Sequence, residues 1–120
     1  LEMPNLSFVS SGGRAMNPPR ALRSDVAATL FRQIMDEFDI VVVDAPPVLP
    51  VVDAAILSGY CRSTVLLARY GYTRRQELEE SARRMKHVGA PVVGLVLNCV
   101  RGGTAGSYYS RKYYGAGSAA

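Results

Sequence analysis

Apolar residues along this chain fall into runs of strand length, separated by stretches in which they recur at helical spacing. The strand-length runs lie at 5–10, 40–43, 63–69 and 91–98. Helical spacing follows Ser24, a short helix is predicted from 51 to about Gly59, and a third helix is predicted between Thr73 and Gly89. Strands that alternate with helices pair in parallel through right-handed crossovers. The pattern therefore predicts an α/β fold whose mostly parallel sheet carries helices on both faces.

The run Ile40–Val43 contains four consecutive β-branched residues without alternation, which predicts a strand buried on both faces. Asp44 follows at its carboxyl end, and the prolines at 46 and 47 cannot continue a ladder. Open α/β sheets bind their ligands at this edge. Two roles for Asp44 stay open. It either hydrogen-bonds its own loop, or it holds Mg²⁺ directly or through water, as in phosphoryl-transfer folds.

The first long helix is predicted to begin at Ser24 and Asp25, after a break at 17–19, and to end near Phe38. It should lie on the sheet through an apolar stripe that consists of Val26, Leu30 and Ile34. Before the short helix, Asp53 is expected to act as a cap rather than to face the same site as Asp44.

The last helix shows capping-box spacing at Thr73 and Gln76, and Gly89 is a suitable stop. Its predicted buried stripe is Leu78, Ala82 and Met85, and its predicted ion pairs are Glu79–Arg83 and Glu80–Arg84. His87 is expected at the surface. The charges of this helix are therefore interpreted as a solvated face.

The formal net charge is +4, but the last twenty residues hold three basic side chains and no acid, so the rest carries only +1. Nucleic acid is therefore not an expected partner of the globular part. Cys61 and Cys99 lack metal-ligand or redox spacing and are expected to be free thiols. No apolar stretch approaches the length of a membrane helix, so the chain is expected to be soluble. It begins at Leu1 and is short for a doubly wound nucleotide-binding fold, so we expect a piece of a longer protein.

From Arg101 the composition turns to glycine and serine, which predicts a flexible tail over 101–120. The tail contains a cluster of four tyrosines, Tyr108, Tyr109, Tyr113 and Tyr114. Three roles stay open for this cluster: an aromatic patch that packs on a partner or on the sheet, a surface that stacks on single-stranded nucleic acid, or a set of phosphorylation sites.

Several motifs occur together in a fixed order. They are Asn5-Leu6, Asn17-Pro18, Phe38-Asp39 leading into Ile-Val-Val-Val-Asp-Ala-Pro-Pro, Asp53-Ala54, Gly71-Tyr72-Thr73, Val93–Asn98 and the tyrosine cluster. In this order the chain resembles the bacterial tyrosine kinases of capsule and exopolysaccharide synthesis. The resemblance covers nearly all of it, with residues 1–100 as the carboxyl-terminal part of the kinase domain.

The resemblance implies a P-loop NTPase fold, related to the septum-positioning and partitioning ATPases, that binds ATP and Mg²⁺. It implies that Asp44 belongs to a Walker B motif as a ligand or organiser of Mg²⁺. Asn98 is similar to the asparagine that contacts adenine in related ATPases. The four tail tyrosines match a cluster that neighbouring subunits phosphorylate in a ring-like homo-oligomer. Further implied partners are a membrane-embedded polysaccharide co-polymerase or activator segment and a tyrosine phosphatase, at the cytoplasmic face of the bacterial inner membrane.

One motif of that family is absent. The sequence contains no Gly-x-x-x-x-Gly-Lys-Ser/Thr, and Gly12-Gly13-Arg14 lacks the lysine and the passage into a helix. We therefore expect a fold that lacks its P-loop half and is inactive alone. One hypothesis is the carboxyl-terminal part of an autophosphorylating tyrosine kinase. The alternative is a non-catalytic adaptor or phospho-acceptor module. A third hypothesis is a relative that positions cargo by ATP hydrolysis. It does not explain why tyrosines cluster at the end of the chain.

Overall fold

A computed structural model of the chain describes residues 5–13 and 15–100. The described part contains, in chain order, α1 (Pro18–Leu22), α2 (Asp25–Glu37), α3 (Asp53–Ser58), β1 (Thr64–Arg69), α4 (Arg75–His87) and β2 (Val92–Asn98). The predicted α/β class is confirmed. The expected tail over 101–120 lies outside the described residues.

β1 and β2 form a parallel two-stranded sheet, as the βαβ order predicted. The register pairs Thr64 with Val92 and Arg69 with Asn98, with one irregularity between Thr64 and Val65. Both carboxyl ends therefore meet at one edge of the sheet. Helix α4 forms the crossover and contacts β2.

Buried apolar side chains come from three consecutive elements, α3, β1 and α4. They are Ala54, Leu57, Leu66, Ala68 and Met85. β1 contributes only alternate residues, so one face of this strand lies against the core and the other is open. The interior is small because only one face of β1 is covered and every residue of β2 is exposed. In the described part of the chain the predicted cover of helices on both faces of the sheet is therefore not seen.

The predicted break at 17–19 is wrong, because α1 begins there. Asn17 caps this helix: its Oδ1 accepts a hydrogen bond from Arg20 N over 3.1 Å. Pro18 and Pro19 occupy the first helical positions, where no N–H is needed. Asn-Pro-Pro therefore starts a short helix.

Helix α2 begins and ends where the sequence predicted. Ser24 Oγ accepts a hydrogen bond from Ala27 N over 3.2 Å, and Phe38 is the C-cap. The predicted buried stripe is wrong in part, because Val26 and Leu30 are exposed and Ile34 is only half-buried. The face of α2 is covered locally instead, where Phe31 stacks on Tyr60 with ring centroids 4.5 Å apart.

The predicted caps of the two later helices are wrong. Val52 is the N-cap of α3 and makes no side-chain cap bond, while Asp53 is its first helical residue. A carboxylate there still interacts favourably with the helix dipole. At α4 the N-cap is Arg74, whose N–H donates to Glu77 Oε2 over 2.9 Å. The capping carboxylate therefore lies one residue later than Gln76.

The predicted charged face of α4 is confirmed, but one of the two predicted ion pairs forms with a different partner. Glu80 pairs with Arg84 as predicted and also with Arg83, whereas Glu79 pairs with Arg75. In the predicted stripe Met85 is 1% exposed, Leu78 is half-buried and Ala82 is exposed. Gly89 follows the helix at φ +72°, and His87 is exposed, both as expected.

Two predicted strands do not form. Residues 5–10 and 40–43 have no strand assignment, and the Ile40 and Val42 side chains are 82% and 87% exposed. The expectation of a strand buried on both faces is therefore wrong. A strand is defined by its neighbours, and the described sheet contains only β1 and β2, so these apolar segments have nothing to pair with.

Among the described residues, no helix has the length and apolar character needed to cross a membrane.

Candidate functional site

Asp44 lies in the connection between α2 and α3, with its side chain exposed. Within the described part of the chain its carboxylate accepts no hydrogen bond, so the loop-terminating bond considered from the sequence does not form here. An exposed carboxylate keeps its lone pairs available for a cation.

The carboxyl edge of the sheet brings together Arg69 and Asn98, which are register partners at the ends of β1 and β2. Parallel neighbours are about 4.8 Å apart, and paired residues point to the same face. A shallow depression lies beside them, lined by Arg69, Tyr70, Gly71, Cys99 and Val100. Ligands bind at this edge in open α/β sheets, so the depression is the candidate site.

The loop after β1 is held by short hydrogen bonds. Arg69 N donates to Thr73 Oγ1 over 2.9 Å, and Thr73 N donates back to the Arg69 carbonyl over 2.9 Å. Tyr70 N donates to the Asn98 carbonyl over 2.8 Å. Gly71 takes φ +72°, which the absence of a Cβ allows. These bonds fix the position of the Arg69 backbone beside β2.

Asn98 uses its side chain locally. Its Oδ1 accepts a hydrogen bond from Cys99 N over 2.7 Å, and Cys99 has φ +60°. A positive φ is uncommon for a residue other than glycine, and the hydrogen bond from its amide fixes this bend. The amide oxygen is thus occupied, while the Nδ2 hydrogens remain available to donate to a ligand at the edge.

Arg69 is the residue that sequence reasoning missed. Its guanidinium carbon lies 5.6 Å from the centroid of the Tyr72 ring, within the range of a cation–π interaction. The ion pairs of the described residues all lie on α4, so Arg69 contributes an uncompensated positive charge to the edge. One signal was in the sequence: Arg69 is the first charge after an apolar strand, as Asp44 is after the run 40–43.

A cation and an amide donor at one edge can bind an anionic or polar group. The described residues do not make a complete nucleotide site, because no P-loop is present in the sequence to cradle phosphates. Nor do they place three or more His, Cys, Asp or Glu side chains where a metal could bind. A single carboxylate does suit Mg²⁺, which takes one or two carboxylates together with phosphates and water. Asp44 is therefore compatible with part of a Mg²⁺–nucleotide site.

The side chains whose pKa values are shifted lie away from the carboxyl edge of the sheet. Hydrogen bonds from Arg83 and Arg84 lower the pKa of Glu80, and burial raises the pKa of the Cys61 thiol. Cys61 and Cys99 are free thiols, as predicted. The four tail tyrosines lie outside the described residues, so their predicted role stays a prediction.

Sequence comparison finds relatives over most of the chain. A tyrosine-protein kinase, Ptk, of Acinetobacter johnsonii is 38% identical over 105 residues, 88% of this chain and 14% of that protein. The tyrosine-protein kinase CpsD of Streptococcus agalactiae is 33% identical over 98 residues, 82% of this chain and 43% of that protein. The tyrosine-protein kinase Wzc of Salmonella typhimurium is 31% identical over 113 residues, 91% of this chain and 16% of that protein.

The chain thus spans less than half the length of each of these three relatives. No protein-family model matches the sequence.

Proposed function

Because this chain is homologous over most of its length to part of the bacterial tyrosine-protein kinases, we propose that it belongs to a protein-tyrosine kinase of capsule or exopolysaccharide synthesis. The observation that carries the proposal is the match itself. Three relatives named tyrosine-protein kinases align with 82–91% of the chain at 31–38% identity. The names CpsD and Wzc accord with the polysaccharide setting that the sequence motifs implied.

In this proposal ATP and Mg²⁺ bind at the carboxyl edge of the sheet. ATP would supply the phosphoryl group, and Mg²⁺ would neutralise its charge when bound. Asp44 would hold the Mg²⁺ directly or through water. Asn98 would contact the base through the Nδ2 hydrogens that its own loop leaves available. Support comes from the exposure of Asp44 and from the position of Asn98 at the end of β2.

The acceptors in this proposal are the tail tyrosines 108, 109, 113 and 114, phosphorylated by neighbouring subunits of a ring-like homo-oligomer. Each phosphate would add about 1.5–2 negative charges, so phosphorylation of several of these tyrosines would reverse the basic charge of the tail. The partners would be a membrane-embedded activator or co-polymerase segment and a tyrosine phosphatase. The site of action would be the cytoplasmic face of the bacterial inner membrane.

Activity requires residues that this segment lacks. Without the backbone N–H groups and the lysine of a P-loop, most of the positioning and binding of ATP is missing. The 120 residues alone are therefore expected to be inactive, and the kinase is the longer polypeptide that contains them.

The test uses the full reading frame that contains this sequence. Purified protein is incubated with radiolabelled ATP and Mg²⁺, and phosphotyrosine is located by mass spectrometry. We expect label on the tail tyrosines and a loss of at least 100-fold on Asp44→Asn, because removing the Mg²⁺-binding charge removes transition-state stabilisation. Asp36→Asn is the matched control. Asp36 is an exposed acid near the carboxyl end of α2, where losing a negative charge is not destabilising.

Two outcomes would contradict the proposal. Undiminished labelling in Asp44→Asn would exclude the role of Asp44 while leaving the kinase intact. A full-length protein that takes label only when a separate kinase is added would favour the adaptor or phospho-acceptor alternative.

A further inference from the structure

The Asp44 connection, residues 39–51 between α2 and α3, has a stiff backbone after Asp44. It contains prolines at 46, 47 and 50. A proline has a fixed φ and no N–H, and the residue before a proline is restricted to extended conformations. Of the four residues between Asp44 and Leu49, only Val48 is neither a proline nor followed by one. A contact that holds Leu49 therefore also limits the movement of Asp44.

Leu49 is the point at which the Asp44 connection is attached to another element. Its carbonyl accepts a hydrogen bond from Arg84 Nη1 of α4 over 2.8 Å. In the described part of the chain no other hydrogen bond joins residues 39–51 to a helix or a strand. Leu49 is also half-buried, whereas Asp44 is exposed. Arg84 thus holds the connection while the carboxylate of Asp44 remains accessible.

The guanidinium of Arg84 is itself held in place by Glu80. Glu80 Oε1 accepts a hydrogen bond from Arg84 Nε over 3.1 Å, and Glu80 Oε2 accepts one from Arg83 Nη2 over 2.8 Å. Hydrogen bonds between ionised groups are stronger than those between neutral groups. The carboxylate therefore orients the guanidinium at Nε, which leaves Nη1 to donate to the Leu49 carbonyl.

We infer that Arg84 is a positioning residue for Asp44, which it acts on by fixing the stiff Asp44 connection to α4. Helix α4 is the crossover between β1 and β2 and contacts β2. The bond thus links the two parts of the candidate site, the Asp44 connection and the carboxyl edge of the sheet. The inference rests on the proposed role of Asp44 at Mg²⁺. A metal binds less tightly when its ligand occupies the required position for only part of the time.

Two measurements on the full reading frame test this, with Arg84→Met as the variant and Arg83→Met as the matched control. The Arg84 and Arg83 side chains are 52% and 68% exposed, so both variants should fold. Among the described residues Arg83 donates only to Glu80. The first measurement is ¹⁵N relaxation of the Ala45 and Val48 amides. We expect their order parameters to fall from about 0.85 to below about 0.6 in Arg84→Met and to stay high in Arg83→Met.

The second measurement is Mn²⁺ binding in the presence of ADP, followed by electron paramagnetic resonance. Arg84→Met should weaken Mn²⁺ binding by about 5-fold or more, because it removes a hydrogen bond from a charged donor. In an Asp44→Asn background the same substitution should have no further effect, since the ligand that Arg84 positions is already lost. A substitution that only destabilised the fold would weaken binding in both backgrounds.

Three results would overturn the inference. Order parameters that stay high in Arg84→Met would mean that the bond does not hold the connection. A mobile connection with unchanged Mn²⁺ binding, or with the same loss of binding in the Asp44→Asn background, would exclude the positioning role. An unsubstituted protein that binds no Mn²⁺ would overturn this inference and the proposed function together. If Mn²⁺ binding responds as expected but no phosphotyrosine forms, only the proposed function is refuted.

Discussion

Met85 is the position where the structure makes its sharpest energetic prediction. This side chain is 1% exposed and is the largest fully buried one among the described residues. Burying a methionine contributes about 1.5–3 kcal/mol relative to leaving it in water. Met85→Ala also leaves a cavity, so the total cost is about 2–5 kcal/mol. The core has few other apolar residues to collapse into that space, which places the cost towards the upper half of the range.

Urea unfolding followed by circular dichroism measures this loss. With a slope of about 1–3 kcal/mol/M, a loss of about 4 kcal/mol moves the midpoint by roughly 1.3–4 M. Val88→Ala, at a side chain that is 52% exposed, is the control and should change stability by less than about 0.5 kcal/mol.

If Met85→Ala is unfolded without urea, Met85→Leu provides the measurable variant. It conserves volume and should cost less than about 1.5 kcal/mol. A midpoint for Met85→Ala that equals that of Val88→Ala would refute the assignment of Met85 to the core.

Three further predictions rest on single contacts. Ser24→Ala should cost about 1 kcal/mol in urea unfolding, because it removes the acceptor for Ala27 N; no change would mean that the cap is not formed in solution. Gly89→Ala should cost about 1–2 kcal/mol by the same assay, because it places a Cβ at φ +72°, and an equally stable variant would exclude that conformation. With iodoacetamide at pH 8, Cys61 should react more slowly than the exposed Cys99, since burial raises the pKa of the Cys61 thiol and keeps it protonated until higher pH; equal rates would contradict the half-buried position.

Local sequence signals predicted the elements whose causes are local. Ser24 caps α2, β1 and β2 lie in the predicted runs, and Gly89 ends α4 at a positive φ. The parallel pairing also followed from the sequence, since a strand, a helix and a strand leave few other arrangements. Each of these features depends on hydrogen bonds between residues a few positions apart or on a single crossover connection.

The candidate site was only partly predictable, because its residues come together through contacts that are not local in the sequence. The sequence indicated Asn98 as a polar residue that ends a strand, but its pairing with Arg69 depends on the register between two strands. The cation–π contact of Arg69 with Tyr72 depends on the turn at Gly71. Such contacts form between side chains that only the folded backbone brings together, so composition and spacing do not specify them.

The apolar pattern by itself determined that Ile40–Val43 favours a strand, and only the tertiary structure decided that no strand forms there in the described part of the chain. β propensity reflects packing on neighbours rather than an intrinsic backbone preference. With β1 and β2 as the only described strands, Ile40 and Val42 remain exposed. Strand formation at 40–43 therefore requires a neighbouring strand, because a ladder needs a partner to hydrogen-bond.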